Sequence, residues 1–454
     1  MKQAIVIFGS TGNLMYKKLI PALDKLIKKE HLDESSKIYC IARKDFSLKD
    51  YIADAKKQVT EEVNWEKLVT FLEYIVFDVN DINDYLLLKN KIKADGYTDL
   101  SIYLAVPPNL FPIIAKGVSE SKLISKGESE KRIVFEKPFG ENLNSAKKIN
   151  RELWKYFDEK QIYRIDHYLG KEMIQNILVV RFANVVFNHI WNNSTISSVS
   201  ILSKEKEGVM SRGGYYDKIG ALKDMLQSHL LQMASLIAMD KPTSLDSEAI
   251  KDEKVKVLKD MIFSEKDLIV GQYKGYLEAK KVAKDSNTET FVYAKAYIEN
   301  DTWKGVPFHF LSGKKLDEKL SEIIIHFKDD SALKAYFPSA TKHQNKLIIR
   351  VAPKEGVQFQ LNVKEPGLGE QTIPASLDYC HSCDALKNNP ESYEKLLLEL
   401  LNKNRTLFTR WDEIETTWNL VDELKSKDKK VHQYETYQDM IKIIKSKGVD
   451  FYDF

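Results

Sequence analysis

The chain has 454 residues, 43% apolar and 30% charged, a length that suggests two or three domains at roughly 100–200 residues each. Lys and Arg number 69 against 66 Asp and Glu, so the net charge is only +3, which argues against nucleic acid or an anionic membrane as a partner held by bulk electrostatics. Three cysteines exclude a disulfide scaffold and fit a reducing, cytoplasmic setting, and no apolar run reaches the ~18 residues of a membrane span.

Strand-like and helix-like stretches alternate over the first part of the chain. Strands are expected at Ala4–Phe8, Lys37–Ala42, Glu73–Phe77, Leu100–Val106 and Arg132–Glu136. Helices are expected at Leu14–Lys29, Leu48–Val59, Ile82–Lys93, Leu110–Ser121 and Asn144–Phe157. Short buried strands alternating with helices predict a parallel sheet built from βαβ units.

The first strand runs into Gly9-Ser10-Thr11-Gly12-Asn13-Leu14. Glycines in the first βα turn let the backbone approach a pyrophosphate, and the helix start that follows favours its charge. The spacing is not GxGxxG, and Met15 stands where a small residue usually allows close helix–sheet packing. The second strand ends at Arg43 and Lys44 rather than at an acidic residue. Two cations there suit the 2′-phosphate of NADP, with NAD left open. The fifth strand leads into Glu136-Lys137-Pro138-Phe139-Gly140, which sets a lysine at the ligand-binding edge of the sheet.

Arg164-Ile165-Asp166-His167-Tyr168-Leu169-Gly170-Lys171-Glu172 is dense in reactive side chains. A helix is expected to begin near Tyr168, offering its amides, with His167, Tyr168 and Lys171, to one phosphate. Beyond residue 166 the rhythm changes. Gly170–Asn184 and Asp217–Ala238 read as long helices, and His229 lies in the second. Asp224 is five residues from His229, poorly placed to pair with it, so a carboxylate serving His229 as a base comes from another element. Strands follow at Phe291–Ile298, Pro307–Leu311, Ile323–Phe327, Leu347–Val351 and Val357–Val363, and Ser392–Leu424 returns to helical spacing. The whole reads as an α/β, Rossmann-like dinucleotide-binding domain over 1–166 and an α+β domain over 167–454 with a large, mainly antiparallel sheet.

Cys380-His381-Ser382-Cys383 resembles half a zinc site or a redox pair. Only Cys40 remains elsewhere, so four cysteine ligands are excluded, and no metal is expected.

Taken together, these segments resemble the glucose-6-phosphate dehydrogenase family from Gly9 to about Asp422. The most specific block is RIDHYLGKEMIQN at 164–176, followed by RFAN at 181–184. EKPFG at 136–140, GYYD at 214–217 and GVPFHFLSGK at 305–314 occur in the family's order. The resemblance implies oxidation of glucose 6-phosphate at C1 to a lactone, with hydride passing to NADP. It implies His229 as the base and Asp166 as its orienting carboxylate. His167, Tyr168 and Lys171 become phosphate ligands; Glu205 and Asp224, acceptors for sugar hydroxyls; Lys314 and Lys319, further substrate contacts. Lys137 becomes a bridge between coenzyme and substrate. The glycine turn from Gly9 to Leu14, Arg43, Lys44 and the pair Asp78-Val79 become the coenzyme site. A homodimer or homotetramer is implied as well.

Asn13, Met15 and Ser228 depart from the family's usual Asp, Ala and Asn. Two other readings are an NAD(P)-dependent oxidoreductase of another sugar and a non-catalytic NADP-binding protein. The first would lack the RIDHYLGKE block; the second would have little reason to keep it.

Overall fold

The first apolar run forms strand β1, Gln3–Phe8, with five of its six residues buried. The computed structural model describes residues 2–329, 336, 344–380, 391–425 and 430–449. β2 (Lys37–Ala42), β3 (Leu72–Val76), β4 (Asp99–Leu104), β5 (Lys131–Phe135) and β6 (Ile162–Ile165) join β1 in the order β6-β5-β4-β1-β2-β3. Every pair in that series is parallel. Five of the six are readable in the sequence; β6 is fully buried but only four residues long and carries Arg164, which hid it. The two-residue strand Phe408–Thr409 pairs antiparallel with β6 at one edge. β1 lies between β2 and β4, so the chain reverses its winding there, and ligands of such sheets bind at that switch point.

The expected helices form with small changes of boundary. The run Leu14–Lys29 splits into a π-helical stretch, Met15–Leu19, and an α-helix, Ile20–Lys28. Pro21 has no N–H to continue regular α-helical bonding, a local reason for the wider turn before it. A short helix at Trp65–Phe71, capped by the Asn64 side chain, is not among the expected ones.

The second sheet has ten strands. They are β7 (Ile196–Lys204), β8 (Met261–Phe263), β9 (Ile269–Tyr273), β10 (Phe291–Ile298), β11 (Phe308–Gly313), β12 (Leu320–Phe327), β13 (Lys346–Ala352), β14 (Gly356–Lys364), β15 (Thr372–Cys380) and Val431–Tyr434. The order is β15-β14-β13-β12-β7-β11-β10-β9 followed by Val431–Tyr434, with β8 on β10. Two pairs are parallel, β7 with β11 and Val431–Tyr434 with β9; the rest are antiparallel. The five strands expected here are present, whereas β7, β8, β9, β15 and Val431–Tyr434 escape the sequence reading.

The long helix expected at Asp217–Ala238 is interrupted. Gly220 adopts φ +69°, after which a π-helical stretch, Leu222–Leu230, passes into α-helix Leu231–Ala238. Ser392–Leu424 forms two helices, Ser392–Leu401 and Trp411–Lys425, broken by the strand at Phe408.

The chain folds into two units, neither continuous in sequence. One holds residues 1–171, 246–251 and 390–415; the other holds 172–245, 252–389 and 416–454. The expected division at 166 treats each unit as one stretch of chain. Of the Cys-x-x-Cys segment, Cys380 ends β15, and 381–383 lie outside the described residues.

His309 is buried in the second sheet, with Tyr293 Oη 2.8 Å from its Nδ1. Burial, with Lys295 nearby, lowers its pKa to about 4, and burial lowers that of His326 to about 3. The unfolded chain therefore binds more protons below pH ~6.5, so stability is full above that pH and falls as pH drops toward the folded values. For His309 alone the loss is of order 3 kcal/mol, at about 1.4 kcal/mol per unit. Urea midpoints measured from pH 7 to 4 should fall less steeply for His309→Gln than for the parent chain. Equal slopes would remove His309 as the cause.

Candidate active site

In the first unit, the Gly9–Leu14 turn lies directly beyond the carboxyl end of β1. The amides of Gly9 and Ser10 both donate to Ile41 O, at 3.0 and 3.1 Å, and Gly12 N donates to Gly9 O at 2.9 Å. Tyr16 N donates to Gly12 O at 3.3 Å, and the start of a helix directly after the turn suits an anion. Gly9 has φ +84°, and a Cβ there would lie 2.3 Å from Ala105 O at the end of β4. No other residue type fits so close an approach of two strand ends, and that cradle suits a dinucleotide.

Arg43 and Lys44 are exposed just beyond β2, and Lys44 Nζ lies 5.1 Å over the Phe46 ring. Asp78 is exposed beyond β3, its Oδ1 accepting from Asn80 N and Nδ2, both at 3.0 Å. Tyr85 Oη donates to Val79 O at 2.9 Å. The Asp78-Val79 turn is thus shaped by its own neighbours.

Lys137 follows β5, and its peptide bond to Pro138 is cis. The preceding Glu136 accepts a 2.5 Å hydrogen bond from Tyr103 Oη and one at 3.2 Å from Lys137 N. Burial raises the pKa of Glu136, while its hydrogen bonds from Tyr103, Lys137 and Tyr393 act against that shift. Tyr103 and Tyr393 were not visible as site residues. Tyr103 reads as an ordinary strand residue, and no sequence spacing links Tyr393 to a motif more than two hundred residues earlier.

The helix expected near Tyr168 begins instead at Glu172. Asp166 is buried and makes a turn of its own: its Oδ1 accepts from Tyr168 N at 3.0 Å, and its carbonyl accepts from Leu169 N at 3.0 Å. Lys171 N donates to Tyr168 O at 3.0 Å, so these amides serve the turn rather than an anion. The side chains do converge. The His167 ring lies 5.2 Å from the Tyr168 ring and stacks at 10° on Tyr393, while Lys171 Nζ sits 5.2 Å over Tyr168. Imidazole, phenol and ammonium in one turn suit a phosphate monoester.

In the second unit, His229 is buried within the π-helical stretch. That stretch is held at its start by Glu289, whose Oε1 accepts from Leu222 N at 3.1 Å and whose carbonyl accepts from Ala221 N at 2.9 Å. A Cβ at Gly220 would meet Glu289 Oε1 at 2.3 Å. Asp224 is half-buried on the same stretch, and Ser228 Oγ donates to Asp224 O at 3.2 Å.

Glu205, just past β7, and Lys314, just past β11, are brought together. Lys314 Nζ donates to Glu205 Oε2 at 2.7 Å and lies 5.0 Å over the Tyr216 ring. Lys319 is exposed, and none of the described contacts joins it to that pair. Glu289 and Tyr216 were missed as supporting residues; Tyr216 sat within the noted GYYD segment, whereas Glu289 gave no signal.

A parallel sheet with a glycine cradle at its switch point defines a dinucleotide-binding protein. Comparison with known proteins names the family. Residues 6–176 match the NAD binding domain model of glucose-6-phosphate dehydrogenase, and 178–442 match its C-terminal domain model. Glucose-6-phosphate 1-dehydrogenase of Bacillus subtilis is 39% identical over 447 residues, covering 93% of this chain and 91% of the relative. The Borreliella burgdorferi enzyme is 39% identical over 439 residues, with the same coverage. A solved glucose-6-phosphate dehydrogenase in complex with glucose 6-phosphate is 32% identical at TM-score 0.91, covering 100% of this chain and 99% of that one. The Mycobacterium avium structure gives 33% and 0.86, with 95% and 93% covered. The chain belongs to the glucose-6-phosphate dehydrogenase family. A probable oxidoreductase at 11% identity and TM-score 0.50 shares the fold alone.

Substituting Gly9 by Ala should strain the turn by about 1–3 kcal/mol and weaken NADP binding. Thermal shift with and without NADP measures both effects. An undiminished NADP-induced shift would separate this turn from coenzyme binding.

Proposed function

We propose that the chain oxidises the C1 hydroxyl of β-glucose 6-phosphate to 6-phosphoglucono-1,5-lactone with NADP, the first step of the oxidative pentose phosphate pathway. The observation that carries this reading is the RIDHYLGKE block inside a chain matched by family models along nearly its whole length.

The reaction needs three things from the protein. A base must take the C1 hydroxyl proton as the C1 hydrogen leaves with its electron pair. The phosphate must be held, and the sugar must be oriented. His229 is assigned as the base by its match to the family's pattern, imidazole being the side chain whose ordinary pKa lies near neutral pH. Asp166 is assigned to fix its tautomer and stabilise the imidazolium that forms, the usual His–carboxylate logic. The proton moves from the sugar oxygen to the imidazole, and the oxygen's electron pair closes the lactone carbonyl.

His167, Tyr168 and Lys171 hold the phosphate; their convergence in one turn supports this. Glu205 and Asp224 accept hydrogen bonds from sugar hydroxyls. Lys314 orients Glu205 and, with Lys319, adds positive charge for the substrate. Lys137 serves coenzyme and substrate alike. The Gly9–Leu14 turn receives the diphosphate, Arg43 and Lys44 receive the 2′-phosphate, and Asp78-Val79 line the same edge. When bound, NADP supplies the acceptor for the hydride.

The working form is a homodimer, or a homotetramer built from dimers, in the cytoplasm. Supporting this, Leu377 is 65% and Tyr379 52% exposed on β15, the free edge strand of the second sheet. An edge strand bearing large apolar groups is normally covered. Among the described residues, no helix is long and apolar enough to cross a membrane.

Protein mixed with glucose 6-phosphate and NADP should generate NADPH absorbance. His229→Asn should lower kcat by about 10²–10⁴-fold with the fold intact. Full activity in that variant would move the base to another residue. For the assembly, Leu377→Asp should shift sedimentation toward the monomer. An unchanged profile would take β15 out of the interface.

A further inference from the structure

The segment after residue 430 is absorbed by none of the roles above, yet it reaches the substrate loop. Strand Val431–Tyr434 pairs in parallel with β9 at the sheet edge, and its last residue, Tyr434, is 2% exposed. The Tyr434 hydroxyl donates to Lys314 O at 2.5 Å and lies 3.0 Å from Thr290 Oγ1. Lys314 N in turn donates to Thr290 O at 2.9 Å. Thr290 Oγ1 also accepts from Tyr273 N at 2.9 Å, which anchors it to β9. Both backbone polar groups of Lys314 are thereby fixed, one of them by a phenol more than a hundred residues away. On the other side, Glu205 N donates to Gly313 O at 2.9 Å, and Leu316 N donates to Glu205 O at 3.0 Å. Three residues beyond Tyr434, the Tyr437 ring receives the ammonium of Lys204, neighbour of Glu205, at 4.3 Å.

A surface lysine samples many rotamers, and freezing it on a ligand costs ~2 kcal/mol of entropy. Fixing its backbone and pairing its head with Glu205 before the ligand arrives removes much of that cost. A buried phenol must satisfy its hydroxyl, and the acceptor it has here is the carbonyl of Lys314.

We propose that Tyr434 is a positioning residue for the sugar-phosphate site: its hydroxyl holds the Lys314 backbone so that the Lys314–Glu205 pair is set before substrate binds. This inference rests on the substrate role assigned to Lys314. It makes the C-terminal strand part of the catalytic apparatus, acting through Lys314 and without touching substrate.

The test is a double-mutant cycle on the full-length chain with Tyr434→Phe, Lys314→Ala and both together, assayed for KM of each substrate, kcat and NADP affinity. Tyr434→Phe removes one oxygen and keeps the ring. Its KM for glucose 6-phosphate should rise about three- to tenfold, the range of one hydrogen bond, with kcat and NADP affinity within twofold. In the Lys314→Ala background, Tyr434→Phe should add less than twofold, because the residue it positions has lost its head group. An unchanged KM, additive effects, or a parallel loss of NADP affinity would make Tyr434 a stability residue and overturn the proposal. So would failure of Tyr434→Phe to accumulate as folded protein. If Lys314→Ala itself leaves KM unchanged, the substrate role of Lys314 fails instead, a distinct result.

Discussion

The first unit depends on satisfying a buried cation. Arg132 is the second residue of β5 and is 1% exposed, and an unpaired guanidinium there would cost several kcal/mol. Its Nη1 donates to Asp99 at 2.6 Å, and its Nε donates to Leu400 O at 2.9 Å. The other Asp99 oxygen pairs with Lys403 at 3.1 Å, and Lys403 also pairs with Glu130. Leu400 and Lys403 belong to the segment that returns from the far end of the chain. The sheet that carries the Gly9–Leu14 turn is therefore incomplete until residues 391–415 have come back to it. The same return carries Tyr393 to Glu136 and His167, and Phe408–Thr409 to the edge of β6.

That constraint explains what was legible in the sequence and what was not. β1 and β2 were readable because a strand buried on both faces leaves an apolar run, whereas β3, at the sheet edge and mostly half-buried, was readable from its aromatic and β-branched residues alone. β7 is as buried as β1 and β2, and it lies between β11 and β12, yet it reads Ile-Ser-Ser-Val-Ser-Ile-Leu-Ser-Lys. Two of its serines face His326 across the β7–β12 pairing, Ser197 Oγ donating to His326 O at 3.0 Å and Ser200 Oγ lying 3.5 Å from His326 Nε2, so polarity hid a core strand. The delayed helix start after Asp166 was hidden by a side chain competing for backbone amides, as short acidic residues do. Motif residues were legible because their chemistry is rare at that density. Their supports, Tyr103, Tyr393, Tyr216 and Glu289, are common residues made important by long-range contacts alone.

In the second unit the polar groups hold each other by mutual satisfaction rather than by charge excess. Glu289 is 8% exposed and is used as a backbone cap for the helix that carries His229. Asp217, within the GYYD segment, takes Tyr276 Oη at 3.0 Å, Ser286 Oγ at 2.5 Å and Ala283 N at 3.1 Å. Those bonds keep its pKa below the usual carboxylate range although burial opposes it, so Asp217 stays ionised and acts as a clamp on the 276–288 loop. A net charge of +3 thus masks local arrangements such as these, in which a buried or clamped carboxylate is held by several donors.

The departures at and just after the Gly9–Leu14 turn take on a physical meaning in this setting. Met15 replaces a small residue that normally lets the helix pack close on the sheet, and it is nonetheless fully buried. The π-helical stretch begins at Met15 itself, and a wider turn moves the helical backbone where the longer side chain needs volume. Tyr51, also fully buried, donates to Ser10 O at 3.1 Å and braces the turn from its other side. Asn13, by contrast, is exposed, so exchanging a carboxylate for an amide there alters charge rather than packing. The backbone cradle at Gly9 is untouched by either change, because its geometry comes from Ile41 and Ala105, which belong to neighbouring strands. Asn13 therefore changes the charge beside the cradle and Met15 the packing of the helix that follows it, while the cradle itself keeps its shape.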